Sequence, residues 1–445
     1  MDANDLLKKY NVATPRYTSY PTVPYWENDS FTEQQWLGRL VQTYAAHKDQ
    51  GISLYIHLPF CESLCTYCGC NTRITKNHSV EIPYIKAVIK EWEMYCNILG
   101  ERPKIKELHL GGGTPTFFSP ENLALLIQAI LGDQASTCCS FEGHPDNTTR
   151  QHLETLYRLG FKRLSLGIQD FDPKVQMMIN RFQTPEQVFD ISTAARKIGY
   201  DSINFDLIYG LPRQTLAGLA HTIAEVINIR PERIAFYSYA HVPWMKPGQR
   251  HYSEKDLPQG DEKFALYQLG KTMLINAGYH EIGMDHFSLS TDSLYVASEN
   301  HQLHRNFMGY TDRHTAVLIG LGVSSISDCH TAFAQNVKTV EEYVSAVNNF
   351  QFPVHKGHLL SDRDLYIRKH ILNLMCKGAT QFTTAIPAAI EKRLKPLLTD
   401  GVIEIEALQV NIPQTGKAFL RNICMAFDER LWQKEPATNL FSQTV

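Results

Sequence analysis

The chain has no apolar run of membrane-spanning length. Its best stretch, Thr315 to Ile326, is broken by glycine and falls well short of the ~20 residues a span needs. Nor is there a surplus of positive charge: 43 lysines and arginines stand against 46 aspartates and glutamates, a net charge of -3. That excludes a general nucleic-acid binder, whose phosphate contacts demand a basic surface. The opening residues, Met1-Asp-Ala-Asn-Asp-Leu-Leu-Lys-Lys-Tyr10, lack both the basic start and the apolar centre of a secretory leader. Disorder is excluded as well, because hydrophobic residues make up 43% and charged ones 20%. With neither leader nor span, the expected compartment is the cytoplasm. There the 10 cysteines stay reduced and favour metal binding over a disulfide framework.

What is present centres on one stretch, Tyr55-Ile-His-Leu-Pro-Phe-Cys61-Glu-Ser-Leu-Cys65-Thr-Tyr-Cys68-Gly-Cys70. Four cysteines follow directly on the alternating run Ile52 to Phe60, which reads as a strand. The C-x3-C-x2-C spacing of Cys61, Cys65 and Cys68 sets three thiolates too close for a structural zinc site, which draws ligand pairs from two segments. Three thiolates suit a cubane iron–sulfur cluster with one iron left for a small molecule, since ferredoxin-type clusters use four cysteines. At this point the chain resembles the radical S-adenosylmethionine (SAM) enzymes.

From Gly51 strand and helix alternate. Strands are expected at Ile52–Leu58, Ile105–Leu110, Cys138–Glu142, Arg163–Ile168, Ile203–Ile208 and Ile234–Ala240, with Tyr279–Met284 as an extra. The intervening helices are Pro83–Leu99, Pro120–Leu131, Thr148–Leu159, Pro185–Ile198 and Leu216–Ile229. Repeated βα units imply a parallel sheet with helices outside. At 445 residues the chain holds more than one folding unit. The expected fold is α/β: a partial (β/α)6 barrel over residues 36–348, an extended N-terminal arm over 1–35, and a smaller, mainly helical C-terminal domain with a hairpin over 349–445. Three prolines between Ala13 and Trp26 carry the extended reading of the arm. In the C-terminal part, helices at Leu365–Met375, Ala385–Leu398 and Leu420–Phe427 flank a hairpin of Gly401–Glu406 with Leu408–Ile412. The acidic stretch Asp400–Glu406 opposes a DNA-binding role for that winged-helix-like shape and favours a lid.

In parallel sheets chemistry gathers at the carboxyl ends of strands. The second strand ends in Gly111-Gly112-Gly113-Thr114, where a ligand can approach the backbone and use its N–H groups. The third ends at Glu142, the fourth at Gln169-Asp170, and the fifth carries Asp206 in an apolar setting. Each carboxylate alone is open to a structural reading as a cap or ion pair; together they suggest one shared site.

Over most of its length the sequence is similar to the oxygen-independent coproporphyrinogen III oxidase (dehydrogenase) family. The resemblance rests on Pro15–Thr22, Tyr55–Cys70, Gly111–Thr116, Leu166–Phe171, Asn180-Arg181, Asp206–Pro212, Tyr239–Pro243, Gly283–Phe287, His304–Phe307, Gly320–Ile326 and Arg421–Cys424. It implies that Cys61, Cys65 and Cys68 hold a [4Fe–4S] cluster and that Cys70 is not a ligand. It implies two SAM molecules: one on the open iron near Tyr55, Gly112 and Glu142, the other near Tyr67, Gly113, Thr114, Gln169, Arg181, Asp206, Ala240 and Ile326. The implied activity is oxidative decarboxylation of two propionates of coproporphyrinogen III to vinyl groups by a 5′-deoxyadenosyl radical. The product is protoporphyrinogen IX. Implied partners are that substrate, a low-potential electron donor and a terminal acceptor, with no nucleic acid or membrane, for a monomeric chain. After Glu142, Gly143-His144 stands where the best-known members carry Val-Asp, and Tyr67 where some members have phenylalanine.

A substrate with four carboxylates needs cationic partners. Arg16 and Arg305 are candidates, each equally readable as a structural arginine. His57 shares a strand face with Tyr55 and reads either as a site residue or as a satisfied core histidine. A haem-trafficking relative is the main rival, opposed by Arg16–Pro21 and Cys70; a haem-degrading enzyme is the other.

Overall fold

The computed structural model describes residues 3–27, 31–134, 137–434 and 441. Parts of the expected arm (1–2 and 28–30) and of the expected C-terminal domain (435–440 and 442–445) lie outside the described residues. The six expected βα strands are present as β1 Ile52–Leu58, β2 Ile105–Gly112, β3 Cys138–Gly143, β4 Phe161–Gln169, β5 Ser202–Tyr209 and β6 Arg233–Ser238. They run parallel in sequence order. The crossover helices are α1 Glu81–Leu99, α2 Pro120–Leu131, α3 Arg150–Arg158, α4 Pro185–Ile198 and α5 Leu216–Ile229. Local chemistry sets their ends. In α4 the Thr184 hydroxyl accepts from Gln187 N–H in a capping box, Pro185 opens the first turn, and Gly199 at φ +114° closes the last.

Period-two alternation sorts the strand side chains. On β4, Leu164, Leu166 and Ile168 are buried against the helices, while Arg163, Ser165, Gly167 and Gln169 line the barrel interior. On β5, Ile203, Phe205 and Leu207 face outward and Asn204 and Asp206 inward. The barrel is thus packed on its outside and polar within, which builds a cavity rather than a filled core.

Three expectations are corrected. First, the sheet is larger than six strands: 12 described strands join it. Leu318–Leu321 adds parallel to β1, and Ile326–Asp328, Ala332–Asn336 and Val354–Leu359 follow antiparallel. The main sheet therefore continues beyond residue 349. At the other edge His286–Ser288 and then His280–Gly283 add antiparallel to β6. Second, the last βα strand stops at Ser238, not Ala240, because the Ala240 carbonyl accepts from Gln249 Nε2 at 3.1 Å instead of continuing the ladder. Third, the arm is not extended throughout: Ala3–Tyr10 is helical.

The arm belongs to a second core. Leu6, Leu7, Tyr10, Tyr17 and Tyr20 are buried with Ile367, Ile371, Ile390, Leu394, Val410 and Phe427 of the C-terminal part. Arg421 donates from its guanidinium to the carbonyls of Thr14 and Pro15, and Asn422 Nδ2 to that of Tyr10 at 2.8 Å. Further on, Trp26 stacks on Phe333 of the main sheet. The expected C-terminal hairpin is Glu404–Glu406 with Gln409–Asn411, and it gains a third strand, Ala379–Gln381. No described helix is long and apolar enough to cross a membrane.

Candidate cofactor site

β1 delivers the cysteine loop and the fold pins it from two sides. Phe60–Cys61 pairs with Arg73–Ile74, closing the loop at its stem. At its tip, Thr66 N–H donates to Ile179 O at 3.0 Å and Asn180 Nδ2 to Leu64 O at 2.8 Å, fixing it to the short helix Pro173–Ile179. Cys61, Cys65 and Cys68 are half-buried and Cys70 is exposed. Each of the three has its own polar neighbour: Thr114 Oγ1 at 3.3 Å from Cys61 Sγ, Arg181 Nη1 at 3.6 Å from Cys65 Sγ, and Cys70 N–H at 3.4 Å from Cys68 Sγ. Burial pushes the Cys61 thiol up to about 12, whereas the hydrogen bond from the Cys70 side chain draws Cys68 down.

The three thiols line one wall of a cavity of about 250 Å³ at the carboxyl ends of the strands. Gly112, Gly113 and Thr114 make the next wall. A Cβ on Gly113 would stand 2.5 Å from Pro59 O and 3.0 Å from Cys61 Sγ, and Gly112, at φ +120°, would drive one into the His57 ring at 2.9 Å. Only glycine admits this approach of strand end to loop. Glu142 faces the cavity, accepting from Gly112 N–H at 3.3 Å and meeting His109 Nε2 at 3.2 Å.

Tyr67, Gln169, Arg181 and Asp206 line the same cavity. Gln169 ends β4 at φ +65°, a left-handed conformation costly for a non-glycine residue and typical of functional strand ends. Arg181 donates to Gly167 O, is buried, and keeps an Nε without a partner. Asp206 accepts from Asn204 Nδ2 at 2.9 Å and Ser165 Oγ at 3.2 Å. Burial first, and then the neighbouring Glu142 charge, raise its pKa to about 7.

Three expected residues do not line this cavity. The Tyr55 ring lies one layer behind, stacked on His109 with centroids 6.0 Å apart. Its hydroxyl sits 3.1 Å from His57 Nδ1, and His57 Nε2 donates to Asn71 O at 2.8 Å, so His57 is a satisfied neutral imidazole, held so by burial. Ala240 stands behind Tyr67, the two carbonyls sharing Gln249 Nε2. Ile326 packs beside Trp26, Phe333 and Leu360. The strand-end reading misses His109, Ser165 and Asn204, which project inward from within their strands, and Tyr237 near the end of β6; alternation along β2 and β4–β6 is the signal that finds them.

The donor set fits a multi-iron cluster. Among the described residues no three His, Cys, Asp or Glu side chains gather tightly enough for a single ion. Three thiols on a pinned loop, glycines shaped to them and a buried guanidinium beside Cys65 would suit a larger anionic group.

Residues 55–226 match the Radical SAM superfamily. The chain is 37% identical over 442 residues to the oxygen-independent coproporphyrinogen III oxidase of Pseudomonas aeruginosa, covering 96% of this chain and 95% of that one. To the Escherichia coli protein of the same name it is 36% identical over 447 residues, again covering 96% and 95%. Among solved structures it superposes on coproporphyrinogen III oxidase from Escherichia coli, described as a radical SAM enzyme. The TM-score is 0.88 at 34% identity, over 96% of this chain and 99% of that one.

Proposed function

We propose, from the premise that the chain belongs to the oxygen-independent coproporphyrinogen III oxidase family of radical SAM enzymes, that it converts two propionates of coproporphyrinogen III to vinyl groups, giving protoporphyrinogen IX. The observation that carries this reading is the convergence of Cys61, Cys65, Cys68, Gly112, Gly113, Glu142, Arg181 and Asp206 on one cavity in a chain that matches such oxidases nearly end to end. Cys61, Cys65 and Cys68 would hold a [4Fe–4S] cluster. Tyr55, Gly112 and Glu142 would serve a first SAM molecule, with Glu142 offering an acceptor for its ammonium. A second would rest on Tyr67, Gly113, Thr114, Gln169, Arg181, Asp206, Ala240 and Ile326. When bound, cluster and SAM supply hydrogen-atom abstraction by a carbon-centred radical.

The remaining work falls to the chain's own groups. Arg181, which lines the cavity, offers its guanidinium to a carboxylate or ribose oxygen. Asp206, with a pKa of about 7, accepts from hydroxyls without imposing a full charge near Glu142. The strand ends exclude water and hold one propionate β-carbon toward the cofactor. Each event removes one hydrogen atom, one carbon dioxide and one electron from a propionate. The donor that charges the cluster and the acceptor of that last electron are separate partners, and the enzyme works as a cytoplasmic monomer.

The test is anaerobic. Reconstituted protein, SAM, a low-potential reductant and coproporphyrinogen III should yield di-vinyl product by mass and fluorescence. Cofactor cleavage with an intact cluster but no decarboxylation would sink the substrate assignment.

A further inference from the structure

The cofactor cavity has a neighbour. A second chamber of about 150 Å³ shares a wall with the first, Glu142, Ser165, Asp206 and Tyr237 lining both. His109, Ser140 and His286 line the second alone. Glu142 therefore meets the cofactor cavity while one of the groups that fix it, His109, does not.

Strand register puts the parts in place. Tyr55 on β1, His109 on β2 and Ser140 on β3 are partners across three parallel strands. Glu142 lies two residues beyond Ser140, so all four side chains leave one face of the sheet. Ser140 Oγ is 2.8 Å from His109 Nδ1, and His109 Nε2 is 3.2 Å from Glu142 Oε1. An ionised carboxylate only accepts, so Nε2 carries the proton; in the neutral imidazole Nδ1 then accepts from the Ser140 hydroxyl. The Tyr55 ring, 6.0 Å from the imidazole with the planes 20° apart, limits its rotation.

Both oxygens of Glu142 are held. Oε1 takes the imidazole N–H, and Oε2 takes the Gly112 N–H at 3.3 Å. Gly111 makes the room, because a Cβ there would stand 2.9 Å from Oε1 and 3.0 Å from the Tyr55 ring. The Glu142 side chain nevertheless stays 43% exposed and lines the cofactor cavity. A carboxylate has roughly four acceptor positions; one on each oxygen is taken and one on each remains. Glu107, on the same strand, shows the alternative. It is 3% exposed and accepts from Ser53, Thr311 and Arg163, so it is used up within the protein.

We propose that His109 is a positioning residue for the ammonium of the first SAM molecule: anchored by Ser140 and flanked by Tyr55, it fixes the Glu142 carboxylate with its remaining acceptor positions open to the cavity. This deepens the functional reading above and rests on it. Without the imidazole the glutamate side chain is free to rotate, and the cost of ordering it falls on ligand binding. The same arrangement gives Tyr55, which does not line the cavity, a way to act on that molecule through His109.

The test reads affinity rather than turnover. Anaerobically reconstituted holoenzyme is titrated with SAM in the absence of porphyrinogen, following the EPR signal of the reduced cluster, which reports the molecule on the open iron. His109→Leu should weaken binding about tenfold with the cluster intact. His109→Gln, whose amide can donate to Oε1, should recover most of that loss. Ser140→Ala, which leaves the imidazole in place, should cost about threefold and decides the matter if the leucine variant does not fold. In a Glu142→Gln background His109→Leu should change affinity by less than about twofold, because the residue acts through the carboxylate. A histidine that only supports the fold would instead lower Tm and weaken binding equally in both backgrounds, which would overturn the proposal. So would wild-type affinity in both H109L and S140A, with the substrate assignment left standing. SAM binding that follows the expected pattern in an enzyme forming no vinyl product would overturn the substrate assignment alone.

Discussion

Two carboxylates with nearly the same raised pKa, Asp206 half-buried and Glu91 fully buried, behave as opposites. Asp206 and Glu91 are each raised to about 7, chiefly by burial. Glu91, 0% exposed on α1, is closed in: Gly322 N–H, Tyr343 Oη–H and Asn336 Nδ2–H donate to it at 2.8, 2.6 and 2.7 Å. The same knot reaches β1, because Tyr84, whose hydroxyl accepts from Val323 N–H, donates to His57 O at 2.7 Å. Asp206 has two donors from neighbouring strand residues, a like charge in Glu142, and a cavity in front of it. A perturbed pKa thus does not separate site from scaffold. Whether the protein itself completes the hydrogen bonding does: the hub is saturated, whereas Arg181 and His286, which line the two cavities, keep Nε and Nδ1 without a partner.

If that distinction is real, damage at the two regions should separate function from stability. The largest functional effect is expected from Cys65→Ala, which should abolish cluster absorbance and all measurable turnover. The thiol is half-buried on a loop held by its backbone, so the apoprotein's unfolding free energy should stay within about 1 kcal/mol of wild type. A variant that kept its cluster would contradict the ligand assignment. Glu91→Ala should do the reverse, leaving three buried donors unsatisfied and costing about 3–5 kcal/mol. Denaturant unfolding of the apoprotein at unchanged m-value would measure it, and a loss below about 1 kcal/mol would dissolve the comparison.

The same distinction explains what could be read from the chain. The six βα units were legible because Pro120, Pro185, Gly199 and the runs between them punctuate helices of 12 residues or more. The cysteine loop, the three glycines and the isolated Asp206 stood out because residue type alone made them anomalous in strands. Legibility failed where elements are short or buried on both faces. Leu318–Leu321 and Ala332–Asn336 are buried at every position, so they show no alternation, and their pairing depends on the fold. Prolines at 15, 21 and 24 were allowed to speak for the whole arm, although Ala3–Tyr10 lies before the first of them and is free to coil.

The smallest expected effect is also the most discriminating. Asp206 binds a proton more tightly folded, at about 7, than at its ordinary 3.8. Between those values the native state holds more protons than the unfolded one, so this residue's contribution to stability falls as pH rises through the window and stays low above it. Asp206→Asn removes that charge while keeping a group of the same shape beside Ser165 and Asn204. The ligand-free protein should therefore gain roughly 1–2 kcal/mol at pH 8, discounted because the carboxylate faces the cavity, and gain nothing at pH 4. Glu91 contributes a slope of the same sign that this substitution leaves intact, so the pH dependence should shrink rather than vanish. Melting curves from pH 4 to pH 8 on wild type and D206N would read the difference directly. A variant less stable than wild type at pH 8 would place Asp206 with Glu91, as scaffold rather than as a group held in reserve for a ligand.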